Sequence, residues 1–306
     1  MTYYLRVVGE GHGNQVWRID ADEAVKLGVS NPDRGPGTFY RRGDRDTIWA
    51  ALRDDTGWIP SDGPQSGPFH KLQLPPEHYY PRVARPLNGS LADPKSPGAL
   101  AEAKAVALGV GQATTLMRRL EAICQTVHPE PETFQTYGHE IRNLLILAAT
   151  EVEAHWRGVL VANGRRQERY STNDYVRLLP VMRLNEYAVA FPSFPWLAPI
   201  QPFSGWTQEN PTQSLTWYDA YNHVKHDREG AFTSARLDYA IAAVTSCVIM
   251  LAAQWTPSIV LGGRSDLSSF FRFVEMPSWA PGESYTQSQP SAETTWTQVQ
   301  SPELAS

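Results

Sequence analysis

With 306 residues, the chain is long enough for one large domain or two ordinary ones, with a sizeable core. The 27 Lys and Arg against 32 Asp and Glu leave a formal net charge of −5, which excludes a general polyanion carrier held by bulk charge. Apolar residues make up 42% and charged residues 19%, while 22 Gly and 24 Pro require that part of the chain be loop or tail.

Residues 1–98 are rich in Gly, Pro and aromatics and predict a small irregular α+β region. Extended segments are expected at Tyr3 to Val8, Gln15 to Ile19 and Thr38 to Arg41, and a short helix from Asp44 to Asp55, with Asp44 as cap and Ile48, Trp49 and Leu52 on one face. The run Gly9-Glu10-Gly11-His12-Gly13 has neither dinucleotide-loop spacing nor a following helix, so it reads as a hairpin turn. Prolines recurring from Pro60 to Pro97 forbid long helices and favour an extended segment lying on something else.

Residues 99–275 predict a mainly α-helical domain. One helix is expected from about Ala99 to Val127. A second starts near Glu132 or Thr133 and carries Phe134, Tyr137, Ile141, Leu144, Leu145, Ala148, Val152, Trp156 and Leu160 at helical spacing, stopping at Asn163-Gly164. A shorter helix fits Thr172 to Leu179. The sequence EYAVAF reads as a strand, and PSFPWLAPIQPF as a loop. Helical signal returns at Leu215 to Asp227 and again from Phe232 to Trp255. This last stretch is nearly long and apolar enough for a membrane, yet Thr245, Ser246 and Gln254 make it read as the central helix of a bundle. Residues 276–306 contain no Lys or Arg and few large apolar residues, so they read as a disordered tail. Cys124 and Cys247 lie far apart in apolar helices and read as buried thiols, which with an N-terminus lacking export features predicts a cytoplasmic protein with no membrane partner.

Two constellations carry chemistry. Glu151 and His155 sit four apart on one helix face and, with His223 or His226, could make a carboxylate and imidazole metal site, the basis of a metal-dependent hydrolase. The second is LTWYDAYNHVKHDR, from Leu215 to Arg228. Tyr218, Tyr221 or Asn222, and Lys225 recur at three- and four-residue steps, and Asn222 and His226 lie one turn apart. Lys225 and Arg228 could hold phosphate, and His226 has the ordinary chemistry of a general acid or base. The same residues also describe a helix end, with Lys225, His226 and Arg228 favouring the negative pole while Tyr218 and Tyr221 pack inward.

The stretch WYDAYNHVKHDR, preceded by HEIRNLLILAATEVEAHW and followed by AFTSARLDYAIAAVTSCVIMLAAQ, resembles HEPN-type helical bundles over about Thr133 to Trp255. In that family a motif Arg-polar-x-x-x-His opens or precedes the last long helix. Here Asn222 matches the polar position and His226 the histidine, while Tyr221 replaces the arginine. The resemblance implies metal-independent, cofactor-free RNA cleavage, with His226 as base or acid, Asn222 positioning, Lys225 and Arg228 on phosphate, and Tyr221, Tyr218 and Arg142 near the substrate. It also implies an RNA partner, a homodimer, and a role in prokaryotic defence or toxin biology. Because Tyr221 cannot supply a guanidinium fork, the alternative is a non-catalytic interaction or sensor subunit that binds protein.

Overall fold

Alternation of side chains gives the segment Gln15–Ile19 two faces, and it becomes the central strand of a five-stranded antiparallel sheet. The computed structural model describes residues 1–8, 13–32, 37–56, 68–227, 230–262, 265–289 and 294–305. The sheet comprises β1 (Thr2–Arg6), β2 (Gln15–Ile19), β3 (Glu23–Lys26), β4 (Phe39–Arg41) and β5 (Phe69–Lys71), in the order β4-β3-β2-β1-β5. Trp17, Ile19, Ala24, Tyr40 and Phe69 face helix α1 (Ile48–Thr56) and pack on Ile48, Ala51 and Leu52. The opposite face carries the smaller cluster Leu5, Val16 and Leu72. Helix α1 starts later than expected because Thr47, rather than Asp44, caps it: its Oγ1 accepts the Ala50 N–H at 3.1 Å. The turn at Gly9 to Gly13 lies mostly outside the described residues, though its flanking strands pair antiparallel, with Arg6 opposite Gln15.

The chain divides into two units: Met1–Tyr79, Arg85–Lys95 and Trp279–Val299 form one, and Tyr80–Ala84, Ser96–Ser278 and Gln300–Ser306 the other. Part of the proline-rich segment is extended as expected, in the strands β6 (His78–Tyr79), β7 (Arg85–Leu87) and β8 (Ser90–Lys95). The described residues of the C-terminal stretch, 276–289 and 294–305, are not the disordered tail that the composition of residues 276–306 predicts. In the first unit, Thr297–Gln298 pairs parallel with β6, the Tyr285 N–H donates to the Pro86 carbonyl at 2.9 Å, and Trp279 and Tyr285 are buried. In the second, Leu304 is buried and the Ser301 N–H donates to Asn163 Oδ1 at 3.1 Å. A few aromatic anchors and backbone hydrogen bonds to distant segments order a stretch whose own composition is polar.

The second unit is mostly helical: α2 (Ala103–Thr126), α3 (His139–Ala162), the short α4 (Thr172–Tyr175) and α5 (Leu178–Met182), then α6 (Thr216–His226), α7 (Leu237–Gln254), α8 (Pro257–Leu261), α9 (Leu267–Phe270) and α10 (Pro302–Ala305). A two-stranded ladder joins Ala188–Ala190 to Arg272–Glu275. Helices α3 and α7 pack on each other along their lengths, with α2 and α6 laid against both. A Cβ on Gly109 of α2 would lie 2.7 Å from Leu251 Cδ2 and 3.2 Å from His155 Cε1, so a glycine allows α2 to approach this closely. Among the described residues, one helix, α7, is long and apolar enough to cross a membrane; its mean hydropathy is 1.6, and 83% of it is buried inside the protein. Both cysteines are free and buried, as expected.

Helix α3 begins several residues after the expected start, for a reason outside its own sequence. The carbonyls of Phe134 and Thr136 accept the first amides of α7, from Asp238 at 3.2 Å and Leu237 at 2.9 Å. Phe134 to Tyr137 are therefore held in an irregular segment that caps another helix. The expected helix from Phe232 likewise splits into a single tight turn, Phe232–Ser234, followed by α7.

Candidate functional site

Helix α6 divides its side chains into three rows. Trp217, Tyr218, Ala220, Tyr221 and Val224 are buried; Asn222, Lys225 and His226 look outward; Thr216, Asp219 and His223 line a polar cleft. Both tyrosines of the predicted substrate surface are therefore interior, only 4% and 1% exposed. A carboxylate on the facing helix holds them: Tyr218 OH donates to Glu153 Oε1 at 2.5 Å, and Tyr221 OH to Oε2 at 3.3 Å. Lys225 Nζ donates to the same Tyr221 oxygen at 2.8 Å and sits 4.9 Å from that ring's centre.

A relay thus runs from ammonium through phenol to carboxylate, with the second phenol as a further donor. Burial, and then the bond to Glu153, push the Tyr218 hydroxyl far above its ordinary pKa, so it stays protonated. The bond to Tyr221 raises Lys225, keeping it charged. Glu153 was not among the residues singled out from sequence. Its one signal is its position beside Trp156, a carboxylate on the margin of an apolar stripe. Glu153→Gln keeps the shape but removes the charge that accepts from both tyrosine hydroxyls; we expect a loss of about 1–2 kcal/mol in urea unfolding. An unchanged midpoint would show that the relay is not structural.

At the end of α6, Asn222 is half-buried and His226 exposed, and neither side chain makes a hydrogen bond among the described residues. His223, Lys225 and His226 occupy the last turn, where the helix carbonyls favour positive charge. Arg228 lies outside the described residues. Arg142 sits in the first turn of α3, donating to Asn143 Oδ1 at 3.0 Å and lying 5.6 Å from the centre of the Phe232 ring. No hydrogen bond or ion pair among the described residues joins Arg142 to His226.

Glu151 and His155 do lie together, with His155 Nε2 3.4 Å from Glu151 Oε1. The pair faces away from the motif: His155 is buried, and its Nδ1 accepts from Gln254 Nε2 of α7 at 3.1 Å. Burial, reinforced by the positive charge of Arg82, lowers its pKa to about 4, so it is neutral at pH 7. Neither His223 nor His226 is brought to it, and among the described residues no three His, Cys, Asp or Glu side chains are grouped to hold a metal ion.

Two further features border the helical unit. An apolar cleft of about 440 Å³ between the end of α2 and the start of α3 is flanked by Ile123, Val127 and Tyr137. The predicted loop PSFPWLAPIQPF folds back through buried Leu197 and Phe203, leaving Trp196 51% exposed, with its Nε1 donating to the Pro129 carbonyl at 2.8 Å. No protein family, curated protein or solved structure matches the chain.

Proposed function

We propose that the helical unit is a HEPN-like RNA-binding module whose working surface is the C-terminal turn of α6, and that His226 is the acid–base group for metal-independent cleavage there. The observation that carries this reading is the outward row of α6. Asn222 and His226 stand one turn apart with no side-chain partner among the described residues, beside the charged Lys225. In such a reaction the ribose 2′-oxygen bonds to phosphorus as the bond to the 5′-oxygen breaks; an imidazole takes the 2′-proton or supplies one to the leaving oxygen. Lys225 and Asn222 would steady and orient the phosphate. The net charge of −5 confines any hold on RNA to this local cluster.

A second reading, a non-catalytic interaction subunit, draws on Tyr221. The residue in the family's arginine position is interior and bonded to Glu153 and Lys225, and the apolar cleft beside Tyr137 has room for an apolar side chain of a partner. One experiment separates the readings. The full chain and His226→Ala are incubated with a mixed RNA pool in EDTA. We expect cleavage in EDTA that falls at least about a hundredfold in the variant. Equal cleavage by both proteins removes His226 from the mechanism. No cleavage and no salt-sensitive RNA retention supports the interaction subunit.

A further inference from the structure

We infer that the cleft between α6 and the turn leading into α7 is a phosphate-binding site, separate from the outward row that carries His226. The cleft has a volume of about 390 Å³, within the range of small-ligand sites and large enough for a phosphate ester. Thr216, Asp219 and His223 form one wall, and Thr233, Ser234, Arg236 and Tyr239 the other.

Donors dominate this lining. The hydroxyls of Thr216, Thr233, Ser234 and Tyr239 make no hydrogen bond among the described residues. The two basic groups are each oriented by a carboxylate. Arg236 donates from Nε and Nη2 to Asp238, at 3.1 and 2.5 Å, and lies 4.7 Å from the Tyr239 ring centre. His223 Nδ1 is 3.0 Å from the Asp219 carbonyl and 3.5 Å from Asp219 Oδ2, two acceptors that require the proton on Nδ1. This leaves Arg236 Nη1 and His223 Nε2 for a ligand. Among the described residues of the lining, Asp219 is the one carboxylate and is turned to His223, so they present hydroxyl, guanidinium and imidazole groups. That set matches the several acceptor oxygens of a phosphate better than a cation or an apolar molecule.

The test titrates the full chain with inorganic phosphate and, separately, with dimethyl phosphate, following the histidine Cε1–H resonances. We expect a saturable shift of the His223 resonance. Binding of both probes identifies a site that accepts diesters, and binding of inorganic phosphate alone a monoester site. His223→Gln and Ser234→Ala should each weaken binding about tenfold, the effect of one lost charge-assisted hydrogen bond. His226→Ala should leave it unchanged, so this site can stand if the ribonuclease reading fails. No saturable shift with either probe, equal affinity in both cleft variants, or loss of binding in His226→Ala would overturn the inference.

Discussion

Replacing Trp156 by alanine should remove about 3–5 kcal/mol from the stability of the helical unit, the largest effect of any single substitution considered for it. Trp156 is fully buried on α3. It stacks on Trp206 at 5.1 Å, and Tyr175 and Tyr218 lie at 5.0 and 5.2 Å between ring centres, with Trp217 and Phe203 beyond them. Such a cluster cannot close over the volume of an indole without moving several rings. Trp156 Nε1 has no hydrogen-bond partner among the described residues, so Trp156→Phe removes volume without orphaning an acceptor and should cost about 1–2 kcal/mol. Urea unfolding followed by the α-helical signal measures both. A loss below about 1 kcal/mol for the alanine variant would mean that the cluster is not a load on the fold. The substitution also bears on the motif helix, because Tyr218 is held between Trp156 and Glu153.

The second large effect is a loss of stability in mild acid, centred on His155. Its folded pKa of about 4 lies below the ordinary 6.5, so the folded state binds fewer protons than the unfolded chain between these values. The stability contribution is therefore fully present above pH 6.5 and is lost as pH falls towards 4, by up to about 3 kcal/mol. Glu151 acts in the opposite sense. Burial raises its carboxyl pKa, so its contribution favours the folded state once protonated and offsets part of the loss at the acid end. His155→Asn keeps an acceptor for Gln254 Nε2 but cannot titrate. Comparing urea midpoints at pH 7 and 4.5, we expect a flatter acid limb in the variant, starting from a lower stability at pH 7. Parallel limbs in the two proteins would exclude His155 as the source.

Much of the helical unit is legible locally. The period of apolar residues in α6 predicts its limits to within one residue, and interruption of α7 by Thr245, Ser246 and Gln254 predicts an interior helix. The errors arise where a segment's partners are distant. Phe134 and Tyr137 have helical spacing, yet the carbonyls of Phe134 and Thr136 serve the first turn of α7. Residues 276–306 have a disordered composition, yet Tyr285 and Leu304 are buried through contacts made far back along the chain. Local patterning carries no record of those partners.

The same division runs through the motif. The 3.6-residue period alone determines that Tyr218, Tyr221 and Lys225 share one side of α6, that Asn222 and His226 lie one turn apart, and that Asp219 and His223 can pair. Only the tertiary structure decides which row is engaged. Glu153 lies 65 and 68 residues from the two tyrosines, and it meets their hydroxyls because α3 and α6 pack together. A buried hydroxyl takes whichever acceptor the fold delivers, whereas an exposed one is satisfied by water. The two tyrosines therefore bond inside the protein, with Lys225 reaching in to Tyr221 from the exposed last turn, while Asn222, His226 and the Asp219–His223 cleft remain on the side open to ligands.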